Sequence, residues 1–368
     1  MPKFNIKKQI SKLYACSILG NLSLTGAWVA ILSARGFSLA QIGLAEMIFH
    51  IISLIFEIPS GVFADVFGRR NMLIVSNITG MIGNVVMIFS HDFPTVCVSM
   101  AFNALSYNFA SGSGDALAFD SLKTVGRETY FEKYASNQMM IFRVCSGVST
   151  LCAGLALLVG YRVAYGTDLL MHTVQILVLV TMREVRTEEH PDGAQLWRTV
   201  GSELLKCFAE SIAFLKNARR AIFLMMCNSL VGSVDILLLF FLQAKLPEAG
   251  IPQWGLGIAL FAAQLGGVVG AKLILKTGRV KYKFVFAASA VMVICGVLAE
   301  HSGMYLIMAA GGFISAAGDD ALQVKTNAKL QNMFPSEQRA TLISFEEFTF
   351  SVVMLVLSPL AGVFFSKW

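Results

Sequence analysis

The feature that most constrains this chain is a succession of apolar runs, each about as long as a helix that crosses a bilayer. Roughly 20 apolar residues are needed for one crossing, and eleven such runs follow one another between residues 13 and 364. Hydrophobic residues make up 56% of the chain and charged residues only 14%, so a soluble fold would leave most of its apolar surface exposed. The sequence therefore predicts an all-α polytopic membrane protein with eleven transmembrane helices.

The predicted spans form two groups on either side of one long polar stretch. Within that stretch, apolar residues recur every three or four positions from Trp197 to Leu215, which indicates an amphipathic helix lying on the membrane surface. We expect a six-helix N-terminal bundle over residues 1–182, a cytoplasmic linker over 183–220 and a five-helix C-terminal bundle over 221–368. The spans lie near residues 13–34, 39–63, 72–89, 93–120, 136–159, 165–181, 221–242, 254–275, 284–299, 304–322 and 340–364.

The distribution of basic residues predicts the orientation of these spans. With the N-terminus in the cytoplasm, 24 of the 29 Lys and Arg residues fall in cytoplasmic segments and four lie outside. Cytoplasmic loops of membrane proteins carry such an excess. We therefore expect a multi-pass protein of the plasma membrane with its N-terminus inside, and the net charge of +6 requires no nucleic-acid partner.

Several functional classes lack their sequence signatures. The seven cysteines are scattered without C-x-x-C spacing, and the five histidines fall on different predicted helices and loops, with no nucleophile signature nearby. No G-x-x-x-x-G-K-[ST] motif is present, so ATP is not the expected energy source. We expect no enzymatic activity, no cofactor and no metal site.

One short polar stretch, EIPSGVFADVFGRR at residues 57–70, joins the second apolar run to the third. It resembles the signature loop of the major facilitator superfamily, G-x-x-x-D-x-x-G-R-[RK], which joins the second and third helices of that family. The defining positions are Gly61, Asp65, Gly68, Arg69 and Arg70.

The resemblance implies a secondary transporter built from two six-helix bundles that rock about a site near the middle of the membrane. With eleven predicted spans, we expect this fold with its last helix absent. In the family, a carboxylate at the end of the fourth helix pairs with an arginine of the signature loop, so we expect Asp120 to pair with Arg69. We expect Asp65 near the inner end of the eleventh helix.

Ionisable residues also fall within or at the edges of predicted spans, where an unpaired charge is costly, and four of them are candidates for a role in transport. Asp115 and Arg143 lie at similar depth on sequential helices, which predicts a buried ion pair. Glu46 and Asp235 have no basic partner in view and are the candidate proton carriers. The alternative is that these two carboxylates only line water-filled cavities.

The first span carries three side chains that we predict on one helical face, Asn21, Thr25 and Trp28. This face is the candidate lining of a substrate cavity. Hydrogen bonding between helices by Asn and Thr explains the pattern equally well.

The first functional hypothesis is proton-coupled efflux of amphipathic or cationic small molecules, an antiport of the multidrug type that works by alternating access. It follows from the resemblance, because the loop and linker are similar to those of drug exporters. One alternative is a facilitator or importer of a polar nutrient, and another is a non-transporting or truncated membrane protein of the same family. The expected partners are a small-molecule substrate, protons and the lipid bilayer, and we expect a monomer.

Overall fold

A computed structural model of the chain describes residues 5–185, 201–202, 205, 218–277, 280–331, 333 and 339–367. Every long regular element within these ranges is an α-helix, which confirms the predicted all-α class. Most of the amphipathic helix predicted in the linker lies outside the described residues.

Fourteen helices, α1 to α14, follow one another along the described parts of the chain. Short 3-10 turns occupy Thr25–Ala27 and Glu128–Tyr130. The helices are α1 (Ile6–Asn21), α2 (Trp28–Ala34), α3 (Leu39–Phe67), α4 (Arg69–Phe89), α5 (Phe93–Ala110), α6 (Ser113–Lys123), α7 (Phe131–Leu151), α8 (Ala153–Val159), α9 (Tyr161–Val180), α10 (Arg219–Glu248), α11 (Gln253–Lys276), α12 (Tyr282–Glu300), α13 (Tyr305–Gln331) and α14 (Arg339–Lys367).

Among the described residues, eight helical segments are long and apolar enough to cross a membrane, or nine if the bent pair α7 and α8 counts as one span. The predicted number of eleven is not confirmed. The difference falls on α5, which carries Asn103 and Asn108, and on α13, which carries the adjacent carboxylates of Asp319 and Asp320. Neither helix is among the segments that qualify.

Three of the predicted spans are interrupted rather than continuous. The first consists of α1 and α2 with a break at residues 22–24, and the fourth consists of α5 and α6 around Gly112, which has a φ of 68°. The fifth bends by 49° between α7 and α8. Depth estimates that assume one straight helix therefore fail for these spans.

Contacts divide the chain into two compact units. The first comprises Met1–Gly26, Ile52–Ser149 and Tyr161–Ala213. Within it, α4 packs against α5 and α9, and α1 packs against α9. Polar pairs also join helices of this unit. The Asn77 Oδ1 on α4 lies 2.8 Å from the His172 Nδ1 on α9, and the Ser53 hydroxyl on α3 donates to the Asn108 Oδ1 on α5 at 2.8 Å.

The second unit comprises Ala27–Ile51, Thr150–Gly160 and Phe214–Trp368. Within it, α13 packs against α10, α11 and α12. Glycines allow the crossing of α11 and α13, because a Cβ added at Gly266 or Gly270 would collide with the carbonyl oxygen of Phe313 or Ala317. Small residues four positions apart commonly allow such close approach between membrane helices.

Candidate functional site

The loop that carries the family resemblance is a single residue between two helices. Helix α3 ends at Phe67, Gly68 has a φ of 98°, and α4 begins at Arg69. A positive φ of this kind favours glycine. A Cβ at Gly68 would also lie 2.8 Å from the carboxyl group of Glu184, so the backbone favours glycine here and a larger residue would displace the Glu184 carboxylate. Gly61, by contrast, lies within α3.

Arg69 binds two carboxylates from two other helices. Its Nη2 lies 2.9 Å from the Asp65 Oδ1 on α3, and its Nε lies 3.2 Å from the Asp120 Oδ2 on α6. Asp120 is buried, whereas Asp65 is exposed. The contact between Arg69 and Asp120 is the one that the resemblance predicts. The expected position of Asp65 near the eleventh helix stays a prediction.

Glu184, just after α9, completes this network and was not foreseen. Its carboxylate accepts hydrogen bonds from the main-chain amides of Arg70, at 3.3 Å, and Asn71, at 3.2 Å. The Nε of Arg70 lies 3.9 Å from the same carboxylate, and its Nη1 donates to the Met182 carbonyl at 2.9 Å. An acidic group at free amides of a helix N-terminus is stabilising. Glu184 therefore caps α4 and fixes the end of α9 beside it.

Glu46 is buried on α3 and has a partner that the sequence analysis did not assign to it. The Oε1 of Glu46 lies 3.3 Å from the Nε2 of His50, one turn further along. The other ring nitrogen, Nδ1, lies 3.2 Å from the Ser351 hydroxyl on α14. The expectation that Glu46 has no basic partner is wrong, since an imidazole one turn away reaches it.

Asp235 is near the middle of α10 and only 3% exposed. Its Oδ1 is buried and has no hydrogen-bond partner among the described residues. Asp235 interacts electrostatically with Asp319 and Asp320 on α13. The Oδ1 of Asp319 would lie 3.1 Å from a Cβ at Gly232, one turn before Asp235. Carboxylates from two helices thus meet within this unit.

The predicted ion pair between Asp115 and Arg143 does not form. Both residues lie in the described part of the chain, both are exposed, and no ion pair joins them. The reason is the break around Gly112, because α6 is a separate helix and Asp115 lies in its first turn. The similar depth of the two residues had been estimated along a continuous fourth helix.

The three predicted cavity residues of the first span do not share one helical face, because the helix is interrupted between them. The Asn21 side chain donates back to the Ser17 carbonyl at 2.7 Å. Thr25 lies in the 3-10 turn, and its hydroxyl donates to Asp168. Trp28 begins α2 and packs edge-on against Phe240, with ring centroids 5.5 Å apart.

Comparison with known proteins shows which family the chain belongs to. A curated relative from Bacillus subtilis (strain 168), the uncharacterized MFS-type transporter YxaM, is 24% identical over 289 residues, which cover 74% of this chain and 67% of the relative. A bacterial homologue of the human lysosomal transporter Spinster, solved in an inward-facing, unoccupied conformation, is 16% identical with a TM-score of 0.71 over 96% of this chain and 81% of its own.

A second solved structure, the nucleoside transporter NupG, is 14% identical with a TM-score of 0.70 over 98% of this chain and 91% of its own. At these identities the likeness to solved structures is one of fold. The sequence profile of the Major Facilitator Superfamily matches residues 12–302, and the chain belongs to that superfamily.

Proposed function

We propose that the protein is a secondary active transporter that exports amphipathic or cationic small molecules in exchange for protons. It would work by alternating access between the bundles 1–182 and 221–368, in the plasma membrane and with its N-terminus in the cytoplasm. The observation that carries the proposal is the buried carboxylate of Asp235, which has one oxygen without a partner among the described residues.

A carboxylate in this position can be neutralised in two ways. A proton neutralises it, and so does the positive charge of a substrate, but the two cannot occupy the same oxygen together. Competition of this kind couples the release of one to the binding of the other. The nearby carboxyl groups of Asp319 and Asp320 offer further oxygen acceptors to a cation. This chemistry supports exchange of a proton for a cationic compound.

Glu46 and His50 are a second candidate site for the transported proton. The imidazole contacts the carboxylate on one side and the Ser351 hydroxyl on the other. A proton on either member of such a pair changes its charge, and the change reaches α14 through Ser351. We propose that this pair acts with Asp235 rather than in place of it.

The signature-loop residues Asp65, Gly68, Arg69 and Arg70 are proposed to act as a gate together with Asp120. Arg69 holds carboxylates from α3 and α6 at once, so a movement of either helix must break a charged contact. Replacing Asp65 by Asn should reduce transport while leaving membrane insertion unchanged.

The alternative is import of a polar nutrient. The half-buried pair of Asn77 and His172 favours it, because amide and imidazole groups suit a hydrogen-bonding solute. Growth-inhibition tests with lipophilic cations, in a host that lacks its own exporters, separate the two functions. Expression of the protein should raise the inhibitory concentration at least fourfold for some of the cations. An unchanged concentration for every cation, together with uptake of a polar solute by whole cells, would support import instead.

A further inference from the structure

The first membrane span is broken at residues 22–24, between α1 and α2. Backbone groups that leave the helical ladder inside a bilayer are tolerated only where protein or a polar cavity satisfies them. Here the Ser149 hydroxyl donates to the Asn21 carbonyl at 3.0 Å and accepts from the Ser23 amide at 3.0 Å. Ser149 on α7 therefore stabilises the backbone at the break.

Three oxygen-bearing side chains converge at this break. The Ser23 Oγ lies 2.7 Å from the Asp168 Oδ2 on α9 and 2.8 Å from the Thr25 Oγ1. The Thr25 hydroxyl donates to the same carboxylate oxygen. Two hydroxyls and one carboxylate thus lie within hydrogen-bond distance of one another.

The charge of Asp168 is not balanced by this arrangement. The Leu24 amide also interacts with the carboxylate, but among the described residues the buried Oδ1 has no hydrogen-bond partner and none forms an ion pair with Asp168. An unpaired carboxylate among membrane helices is expensive and usually marks an ion or substrate pathway. The hydroxyls supply dipoles but no positive charge, so a ligand that supplies one would complete the site.

We propose that Asp168, Ser23 and Thr25 form a binding site for a monovalent metal cation, with sodium as the natural candidate. Carboxylate and hydroxyl oxygens are ligands of hard cations, and a single carboxylate matches a single positive charge. Each hydroxyl hydrogen can rotate away, which turns the oxygen lone pairs of Ser23 and Thr25 toward the ion. Interrupted membrane helices also coordinate cations in other transporter folds, there through unwound backbone carbonyls and helix ends.

This site goes beyond the proposed function and does not depend on it. It lies in the first unit, whereas Asp235 and Glu46 belong to the second. The bound ion would neutralise Asp168 and hold the broken span in one geometry, whatever the substrate and whether or not protons drive transport.

The test measures thermal stability of the purified full-length protein in detergent, titrated with NaCl against choline chloride at constant ionic strength. A ligand that binds only the folded state raises the melting temperature as its concentration exceeds the dissociation constant. The wild-type protein should show a sodium-dependent rise. In Asp168→Asn, the concentration that gives the half-maximal rise should increase at least tenfold. Asp92→Asn, a matched change of an exposed helix cap, should behave like the wild type.

A second pair of variants keeps the proposal testable if Asp168→Asn does not fold. Thr25→Val removes one ligand oxygen at nearly constant shape and should weaken the sodium response, whereas Thr25→Ser retains the oxygen and should preserve it. No sodium-dependent rise in the wild type would overturn the proposal. An equal rise in the wild type and in Asp168→Asn or Thr25→Val would overturn it as well, because sodium would then bind elsewhere.

Discussion

The Nε of Arg69 lies 3.2 Å from the Oδ2 of Asp120, and this contact joins the first residue of α4 to the last turns of α6. The same guanidinium also binds Asp65 on α3. Because Asp120 is buried and Asp65 is exposed, we expect the two contacts to contribute differently to the stability of the fold. An exposed ion pair contributes little to stability, whereas removing one partner from a buried contact leaves the other without compensation.

Replacing Asp120 by Asn should therefore lower the free energy of unfolding by about 1–3 kcal/mol, because the Arg69 guanidinium loses its buried charged acceptor. Chemical denaturation in detergent measures the change. Asp115→Asn is the matched control on the same helix, and it should change stability by less than about 0.5 kcal/mol because Asp115 is exposed. Equal losses in the two variants would contradict this interpretation of the contact.

The two glycines of the signature loop should respond oppositely to alanine. Gly68→Ala adds a Cβ to a residue whose φ is 98°, and that Cβ would lie 2.8 Å from the Glu184 carboxyl group. The substitution should therefore destabilise the fold by about 1–3 kcal/mol. Gly61→Ala lies within a helix, and its added methyl meets no described atom within 4 Å, so it should stabilise by about 0.5–1 kcal/mol. Melting temperatures of the two variants test the contrast, and a loss at Gly61 as large as that at Gly68 would count against it.

Asp92 caps α5 outside the membrane spans, and we expect its contribution to stability to depend on pH. Hydrogen bonds from the hydroxyl and the amide of Thr95 hold the pKa of Asp92 below its ordinary value. A depressed pKa in the folded state means that the contribution is complete above the unfolded-state pKa and is lost as pH falls through the folded-state pKa. The wild type should exceed Asp92→Ala in stability at pH 7, and the difference should shrink in acid.

The control for this comparison is Asp92→Asn, which keeps a capping oxygen but cannot ionise. Its stability relative to Asp92→Ala should stay nearly constant with pH. A difference between the wild type and Asp92→Ala that does not change on acidification would show that the charge of Asp92 has no part in capping.

Local patterns in the sequence were sufficient to predict the helical fold class and to locate the signature loop. The contact between Arg69 and Asp120 was also predictable, through the family resemblance. The roles of Glu184 and Asp168 were not predictable, because each side chain binds a segment more than 100 residues away in sequence. The apolar run of the first span predicts an unbroken helix, since hydropathy does not register that Ser23 and Thr25 bond to a distant carboxylate instead of to their own helix. The same limit applies to Asp115 and Arg143, whose predicted pairing required a continuous fourth helix.

The central claim is that Asp235 exchanges a proton for a cationic substrate, and proton-driven transport in reconstituted vesicles tests it most directly. A fluorescent lipophilic cation is followed after an imposed pH gradient, with the wild type, Asp235→Asn, Glu46→Gln and the control Asp92→Asn at equal reconstitution. We predict that Asp235→Asn loses at least 90% of gradient-driven transport, which corresponds to an increase of about 1.4 kcal/mol or more in the activation free energy. Glu46→Gln should be impaired, and Asp92→Asn should match the wild type. Full gradient-driven transport by Asp235→Asn would contradict the claim.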